Sequence, residues 1–308
     1  MKKLLLIDGN AILHRAYHSL PPFKTAKGEV TNAIYGFLKM FLDVLKKEKP
    51  DYVGIAWDRA APTFRHQEYT EYKATRAAPP EDLYPQLPRL KEVLQTLHIA
   101  MLEKDGYEAD DILGTLSHHT ETQHHEVITL ILTGDRDALQ LVTQRTNVIA
   151  PIRGVSDVFV YTPHSVKEKI GVRPDQIIDY KALCGDTSDN IPGVPGIGPK
   201  QASEFLQKYE TLDNLYKHLE ELTPAQTRKL TEGKDSAYLS QKIATILLNT
   251  PVDTDLEHLN IGPADYPKFR ELITELEFKT LIPKIEEFKK VIPAAPDNSE
   301  SGNQQSLF

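Results

Sequence analysis

Five acids, Glu108, Asp110, Asp111, Asp135 and Asp137, crowd the stretch from Gly106 to Asp137. Ala109, Ile112, Leu113 and Leu116 fall at helical spacing, which puts Glu108, Asp110 and Asp111 in the first turn of a helix and off its apolar side. Val127 to Leu132 is an apolar, β-branched run of strand length, and Asp135 and Asp137 follow where it should stop. Acids at a helix start cap free N–H groups and complement the helix dipole, which would account for three of them. Crowded carboxylates, however, repel and raise one another's pKa unless a cation neutralises them. Hard divalent cations such as Mg²⁺ or Mn²⁺ take oxygen ligands of this type. Asp8 and Asp58 each stand at the end of another apolar run, and Asp186 and Asp189 form a further pair three apart. That gives nine candidate metal ligands. Two metals roughly 4 Å apart can activate a water and stabilise a leaving oxygen, the chemistry of phosphodiester cleavage.

Two other stretches suit a phosphate-rich partner. Phe64 to Arg76 reads FRHQEYTEYKATR, and Arg65, Tyr69, Tyr72, Lys73 and Arg76 repeat at helical spacing. Basic residues interleaved with aromatics pair phosphates and stack bases of single-stranded nucleic acid; an ordinary solvated helix with packed tyrosines would show the same pattern. Further on, Gly193, Gly196 and Gly198 precede Pro199 and Lys200, with Pro199 placed to open a helix. Free N–H groups at such a start can bind phosphate. A tight helix–helix connection could use the same glycines, but here they directly follow an acidic pair.

The elements that must position these residues can be read coarsely. Lys3–Ile7, Tyr52–Trp57 and Val127–Leu132 are apolar strands separated by helical segments at 11–20, 30–47 and 90–97. This predicts an α/β fold with a mainly parallel central sheet flanked by helices. Ligands of such sheets bind outside the carboxyl ends of the strands, where Asp8, Asp58 and Asp135 would all lie. Residues 147–150 and 158–161 are expected to be short strands, and the remainder to about Val291 reads as helical. The stretch from Pro293 to Ser306 is small and polar and is expected to be disordered. The expected division is 1–178 for the α/β core, including the basic and aromatic segment at 60–90, 179–292 for a helical region, and 293–308 for the tail.

Composition narrows the class. Among 308 residues, 40% are hydrophobic and 26% charged, which suits a normal core. The single cysteine, Cys184, excludes an internal disulfide. No apolar run reaches transmembrane length, and Asp8 ends the first one too early for a signal peptide. A soluble cytoplasmic monomer is expected. The net charge of −8 argues weakly against nucleic acid, yet clustered carboxylates supply much of the excess.

LLLIDGN, FRHQEYTEYKATR, GYEADDILGTL, LTGDRDALQLV and GDTSDNIPGVPGIGPKQA together resemble the 5′-nuclease (flap endonuclease-like) family, in the branch of the 5′→3′ exonuclease domain of bacterial DNA polymerase I. The resemblance covers about Lys3 to Ile292. It implies a PIN-like α/β core, a helical arch, a C-terminal helix-hairpin-helix region, and metal-dependent cleavage of DNA or RNA primer at 5′ flaps and 5′ ends in replication and repair. It places Asp8, Asp58, Glu108, Asp110, Asp111, Asp135 and Asp137 around one metal, and Asp186 and Asp189 toward a second. It sets Tyr72, Lys73 and Arg76 in the arch, and Arg15 near the scissile phosphate. Gly193 to Lys200 become a duplex-gripping hairpin that can hold K⁺. The chain stops where polymerase I continues, as a free-standing nuclease or a fragment would, with a DNA polymerase as its working partner.

Two rival classes fit the residues less well. An aspartyl-nucleophile phosphatase would carry an acid at position 10, where Asn10 stands. A non-catalytic duplex or flap DNA-binding module would not require intact acids at all nine positions. His118, His119, His124 and His125 lie among Thr, Glu and Gln and read as a solvated loop rather than a zinc site. Gln304, Leu307 and Phe308 resemble a sliding-clamp-binding peptide at the end of a flexible tether.

Overall fold

The computed structural model describes residues 1–154 and 157–295. In chain order the elements of the first half are β1 (Lys2–Asp8), α1 (Gly9–Ser19), α2 (Asn32–Glu48), β2 (Tyr52–Ala56), α3 (Phe64–Glu68), α4 (Gln86–Thr96), β3 (Ala100–Leu102), α5 (Ala109–Gln123), β4 (Val127–Leu132), β5 (Thr146–Arg153) and β6 (Asp157–Tyr161). Helices follow: α6 (Pro163–Ile170), α7 (Ile177–Cys184), α8 (Pro199–Tyr209), α9 (Leu212–Lys217), α10 (Pro224–Glu232), α11 (Lys234–Ala244), α12 (Tyr266–Glu275) and α13 (Ile285–Lys289).

One sheet runs β3-β2-β1-β4-β5-β6, parallel except for β6. β1 is central, with Leu4 to Asp8 opposite Tyr52 to Ala56 on one side and Lys2 to Ile7 opposite Val127 to Leu132 on the other. Successive side chains of a strand point to opposite faces. Leu5 and Ile7 accordingly join a core with α1, α2 and α4, while Leu4 and Leu6 join one with α5, α7 and α8. Burial on both faces explains why β1, β2 and β4 are unbroken apolar runs rather than alternating ones. The strand order reverses on the two sides of β1, so the carboxyl ends of β1 and β4 open a crevice. Asp8 ends β1, and Asp58 and Asp135 follow β2 and β4 on the same edge.

Several local expectations are corrected. β3 is a three-residue strand, too short to show a pattern. α5 continues to Gln123, so His118 and His119 ride on its last turns instead of a loop. The arch is helical only over Phe64–Glu68, and residues 70–75 are turns. The C-terminal helices do not form one region: α12 and α13 return to pack Phe269, Leu272 and Phe288 against α2 and α4. Pro293 to Ala295 are not loose. Pro293 O accepts from Ala264 N at 2.7 Å, and Ala295 N donates to Ala264 O at 2.9 Å.

Gly9 is fixed by contact rather than by conformation. A Cβ there would lie 2.4 Å from the ring of Trp57. That ring is fully buried and stacks on Phe37 with centroids 5.9 Å apart. Gly9→Ala is therefore expected to lower the unfolding free energy by about 1–3 kcal/mol, measured by urea denaturation against Gly28→Ala. Gly28 has nothing within 4 Å of an added Cβ, and its φ of +88° is its only obstacle.

Candidate active site

The site grows from backbone ends. Asp8 caps α1, its Oδ1 accepting from Ala11 N at 2.9 Å, while Oδ2 accepts from the Thr133 hydroxyl at 2.8 Å. Thr133 also accepts from Asp135 N at 3.0 Å, so one hydroxyl joins the ends of β1 and β4. Asn10 Oδ1 accepts from Asp58 N at 3.0 Å, and Asp58 Oδ1 accepts from Ala109 N at 2.7 Å. β2 is thereby fastened to α1 and to the start of α5. Asn10, noted in the sequence only for not being an acid, is thus a positioning residue of this edge.

Asp8, Asp58, Glu108, Asp110 and Asp135 line one cavity of about 410 Å³. Lys73, Arg76, His14 and Tyr84 form its remaining polar wall. Burial, then the charge of Asp58, pushes the Asp8 carboxyl up to about 7 against the hydrogen bonds from Ala11 and Thr133. Burial and the charges of Asp135 and Asp8 hold Asp110 well above the usual carboxylate range. Asp110 Oδ1 is buried and has no hydrogen-bond partner. By donor chemistry this inner group suits a hard cation.

Protein cations already hold the acids around it. Lys73 Nζ lies 3.0 Å from Glu108 Oε1, and Arg76 Nη2 lies 2.5 Å from Asp189 Oδ1. Burial opposes the charge on Lys73, but Glu108 and Asp189 outweigh it and raise its pKa. Lys181, on α7, bridges Asp137 and Asp186, the latter at 2.6 Å. Burial alone would raise Asp186, yet Lys181 and hydrogen bonds from Lys181 and Ser188 bring it down to about 2. As placed here, no three His, Cys, Asp or Glu side chains among the described residues converge closely enough to cage a metal ion. The sequence offered no sign of Lys181, since a lysine within a helix is ordinary there.

Four expected site residues have other tasks. Asp111 is fully buried and forms a two-pronged ion pair with Arg65, both contacts at 2.8 Å, while also accepting from Glu108 N and Leu247 N. Arg65 is only 2% exposed and further donates to the Ile243 and Thr245 carbonyls, so it shares no surface face with Lys73. The Tyr72 ring is buried, its hydroxyl donating to Glu108 at 3.0 Å, which leaves no face for a base. Arg15 donates to the Ile152 carbonyl at 2.7 Å and to Gly154 at 3.4 Å, fastening α1 to β5 outside the cavity. The helical periodicity of 64–76 misled because Lys73 takes the left-handed region with φ +57°. It is held there by its N–H to Asp189 O at 2.9 Å, a strained placement of the type found at functional sites.

A second cavity, of about 950 Å³, runs from Asp135 past Asp137 and Asp186 to Pro199. It ends at the glycine hairpin. Gly193 requires its φ of +62°, and a Cβ there would meet Gly185 N at 2.3 Å. Gly198 precedes Pro199 and gives α8 no side-chain cap, leaving its first N–H groups available. The Lys200 side chain is 92% exposed beside them. The Gly196 carbonyl accepts from Lys229 Nζ at 2.9 Å, which ties the hairpin to α10. Gln304, Leu307 and Phe308 lie outside the described residues.

Two family models match in tandem: "5′-3′ exonuclease, N-terminal resolvase-like domain" over residues 3–171, and "5′-3′ exonuclease, C-terminal SAM fold" over 172–267. The chain belongs to the 5′-3′ exonuclease family. It is 42% identical over 289 residues to DNA polymerase I of Caldicellulosiruptor bescii, covering 92% of this chain and 33% of that protein. It is 38% identical over 307 residues to DNA polymerase I of Bacillus subtilis, covering 99% and 34%. The chain thus spans about a third of the length of these relatives. Among solved structures, T5 5′-exonuclease with bound zinc ions shares the fold with a TM-score of 0.65 at 17% identity, covering 94% of this chain and 98% of that one. The catalytic core of Rad2 in complex with a DNA substrate does so at 0.60 and 16%, covering 94% and 93%.

The two neighbouring acids Asp110 and Asp111 should respond oppositely to loss of charge. Asp111→Asn unpairs a buried guanidinium and is expected to cost about 3–5 kcal/mol. Asp110→Asn relieves repulsion. Carboxylates raised in the folded state favour folding below their unfolded pKa and lose that contribution as pH rises through the folded value. With EDTA present, wild-type stability should therefore fall as pH rises from about 4, through Asp8 up to about pH 7 and through Asp110 in the same direction. Asp110→Asn should be the more stable protein at pH 8, with the gain vanishing near pH 4. Thermal melts across pH test both; equal melting shifts for the two variants would give the two acids one role.

Proposed function

We propose that this chain is a structure-specific 5′→3′ exonuclease and 5′-flap endonuclease that hydrolyses DNA and RNA-primer phosphodiesters with divalent metal. The observation that carries this is the inner cavity, where acids from three strand ends and one helix start crowd around the unpartnered Asp110 Oδ1. Asp8, Asp110 and Asp135 would hold Mg²⁺ or Mn²⁺, with Asp58 and Glu108 beside them. Such an ion supplies an activated water and neutralises the charge on the leaving oxygen. Lys73 and Arg76 line the same cavity and stabilise charge on the phosphate as it is attacked. The groove past Asp137 leads the duplex to the N-terminus of α8, where Gly198 and Lys200 meet its backbone. The relationship to bacterial DNA polymerases I supports primer removal and repair in the cytoplasm, and no helix among the described residues is long and apolar enough to cross a membrane. The tail, through Gln304, Leu307 and Phe308, would add a tether to the sliding clamp.

Incubation with 5′-flap DNA should give cleavage with Mg²⁺ and none with EDTA. Asp110→Asn and Asp135→Asn should abolish cleavage and retain DNA binding. Binding without cleavage by the wild type under every metal condition would instead make the chain a DNA-binding module. Lys73→Ala and Arg76→Ala should each slow flap cleavage on the order of 100-fold and reduce the salt slope of binding by about one. A peptide of Ser301 to Phe308 should bind purified clamp, and Leu307→Ala with Phe308→Ala should remove that binding.

A further inference from the structure

We propose that Lys181 is a resident cation that competes with a second divalent ion for Asp137 and Asp186. The outer carboxylate pair then takes metal only when the Lys181 ammonium leaves it. This rests on the reading of the inner acids as a metal site and concerns how many ions the chain holds, and in what order.

The two acid groups differ in how their charge is met. In the inner cavity Asp110 Oδ1 is buried without a partner, and the two nearest protein cations bond elsewhere, Lys73 to Glu108 and Arg76 to Asp189. The demand for positive charge there is unmet. In the outer pair it is met from within: Lys181 Nζ touches Asp137 Oδ1 and lies 2.6 Å from Asp186 Oδ2. All three side chains are at least four-fifths buried, so solvent screens the contacts weakly.

Geometry keeps Lys181 at this post. It lies on α7, which packs against α8 and α11, so its stem is fixed and the ammonium reaches only the groove it lines. Asp186 is fixed as well, accepting from Ser188 N at 2.8 Å and from the Ser188 hydroxyl at 2.6 Å. Asp137 is anchored by its N–H to Asp135 Oδ1 at 2.9 Å, a direct link from the outer pair to the inner group. A dication entering between Asp137 and Asp186 would sit against the ammonium, and like charges at that separation repel strongly where water is scarce. A second ion therefore binds after the first and more weakly, and the ammonium it displaces turns into the groove that leads to the hairpin.

The test is calorimetric titration of the metal-free full chain with Mn²⁺, for wild type, Asp110→Asn, Lys181→Met and Lys181→Arg. The wild type should show one tighter ion, lost in Asp110→Asn, and a weaker second ion. Lys181→Met should tighten the second ion by at least ~10-fold, and Mn²⁺ should raise its melting temperature more than that of the wild type. Lys181→Arg should keep the second ion weak. Wild-type affinities in Lys181→Met, or weaker ones, overturn the proposal. No Mn²⁺ binding by the wild type overturns the metal reading itself, which separates the two failures. Should Lys181→Met not fold, Mg²⁺ titration of ¹⁵N-lysine-labelled wild type decides. The Lys181 ammonium signal should move in the second binding phase; a signal that moves with the first, or not at all, overturns the proposal.

Discussion

Repulsion among buried carboxylates is the constraint on which the rest of this structure turns. Asp8, Asp58, Glu108, Asp110 and Asp135 would spread apart in a free chain. Here each is set by a backbone that has little choice. Asp8 ends a strand locked between two neighbours, Asp58 and Asp135 follow parallel strands on the same edge, and Glu108 and Asp110 ride on a helix start bonded to Asp58. The parallel sheet is the means of holding like charges together, and two apolar cores on its faces supply the stability that opposes their repulsion. Lys73, Arg76 and Lys181 offset only part of what remains, at Glu108, Asp189, Asp137 and Asp186.

Much of this was legible because strand ends are marked by composition. An apolar run followed by Asp recurs three times, and the fold, the edge and three of the inner acids follow from that alone, while helical spacing placed Glu108 and Asp110. The resemblance in five ordered motifs pointed to the same family that the tandem match establishes. What could not be read depends on partners distant in sequence. Nothing near Asp111 distinguishes it from Asp110, because the difference lies in Arg65 and in the amide of Leu247. The spacing of Tyr69, Tyr72, Lys73 and Arg76 is helical, yet Asp189 and Asn190 capture the backbone and turn it otherwise. Lys181 acquires its meaning only once α7 is laid beside the residues that follow β4.

Arg65 and Asp111 also show why a family pattern of acids need not be a pattern of ligands. Their ion pair joins α3, α5 and the segment after α11. An acid retained for such a joint has the same sequence signature as one retained for metal. Only burial and pairing separate the two.

The central position of β1 has a consequence for how the protein is made. Its first residue, Lys2, lies opposite Val127, so this strand waits for one that emerges from the ribosome much later. Pairings of such long sequence separation form slowly, after loop-closure entropy has been overcome. Until then the acids are scattered along a loose chain and do not repel. Their crowding arises in the same step that completes the sheet. A nascent chain that ends before β4 thus has no assembled cluster, and the crowding of like charges is deferred by topology alone.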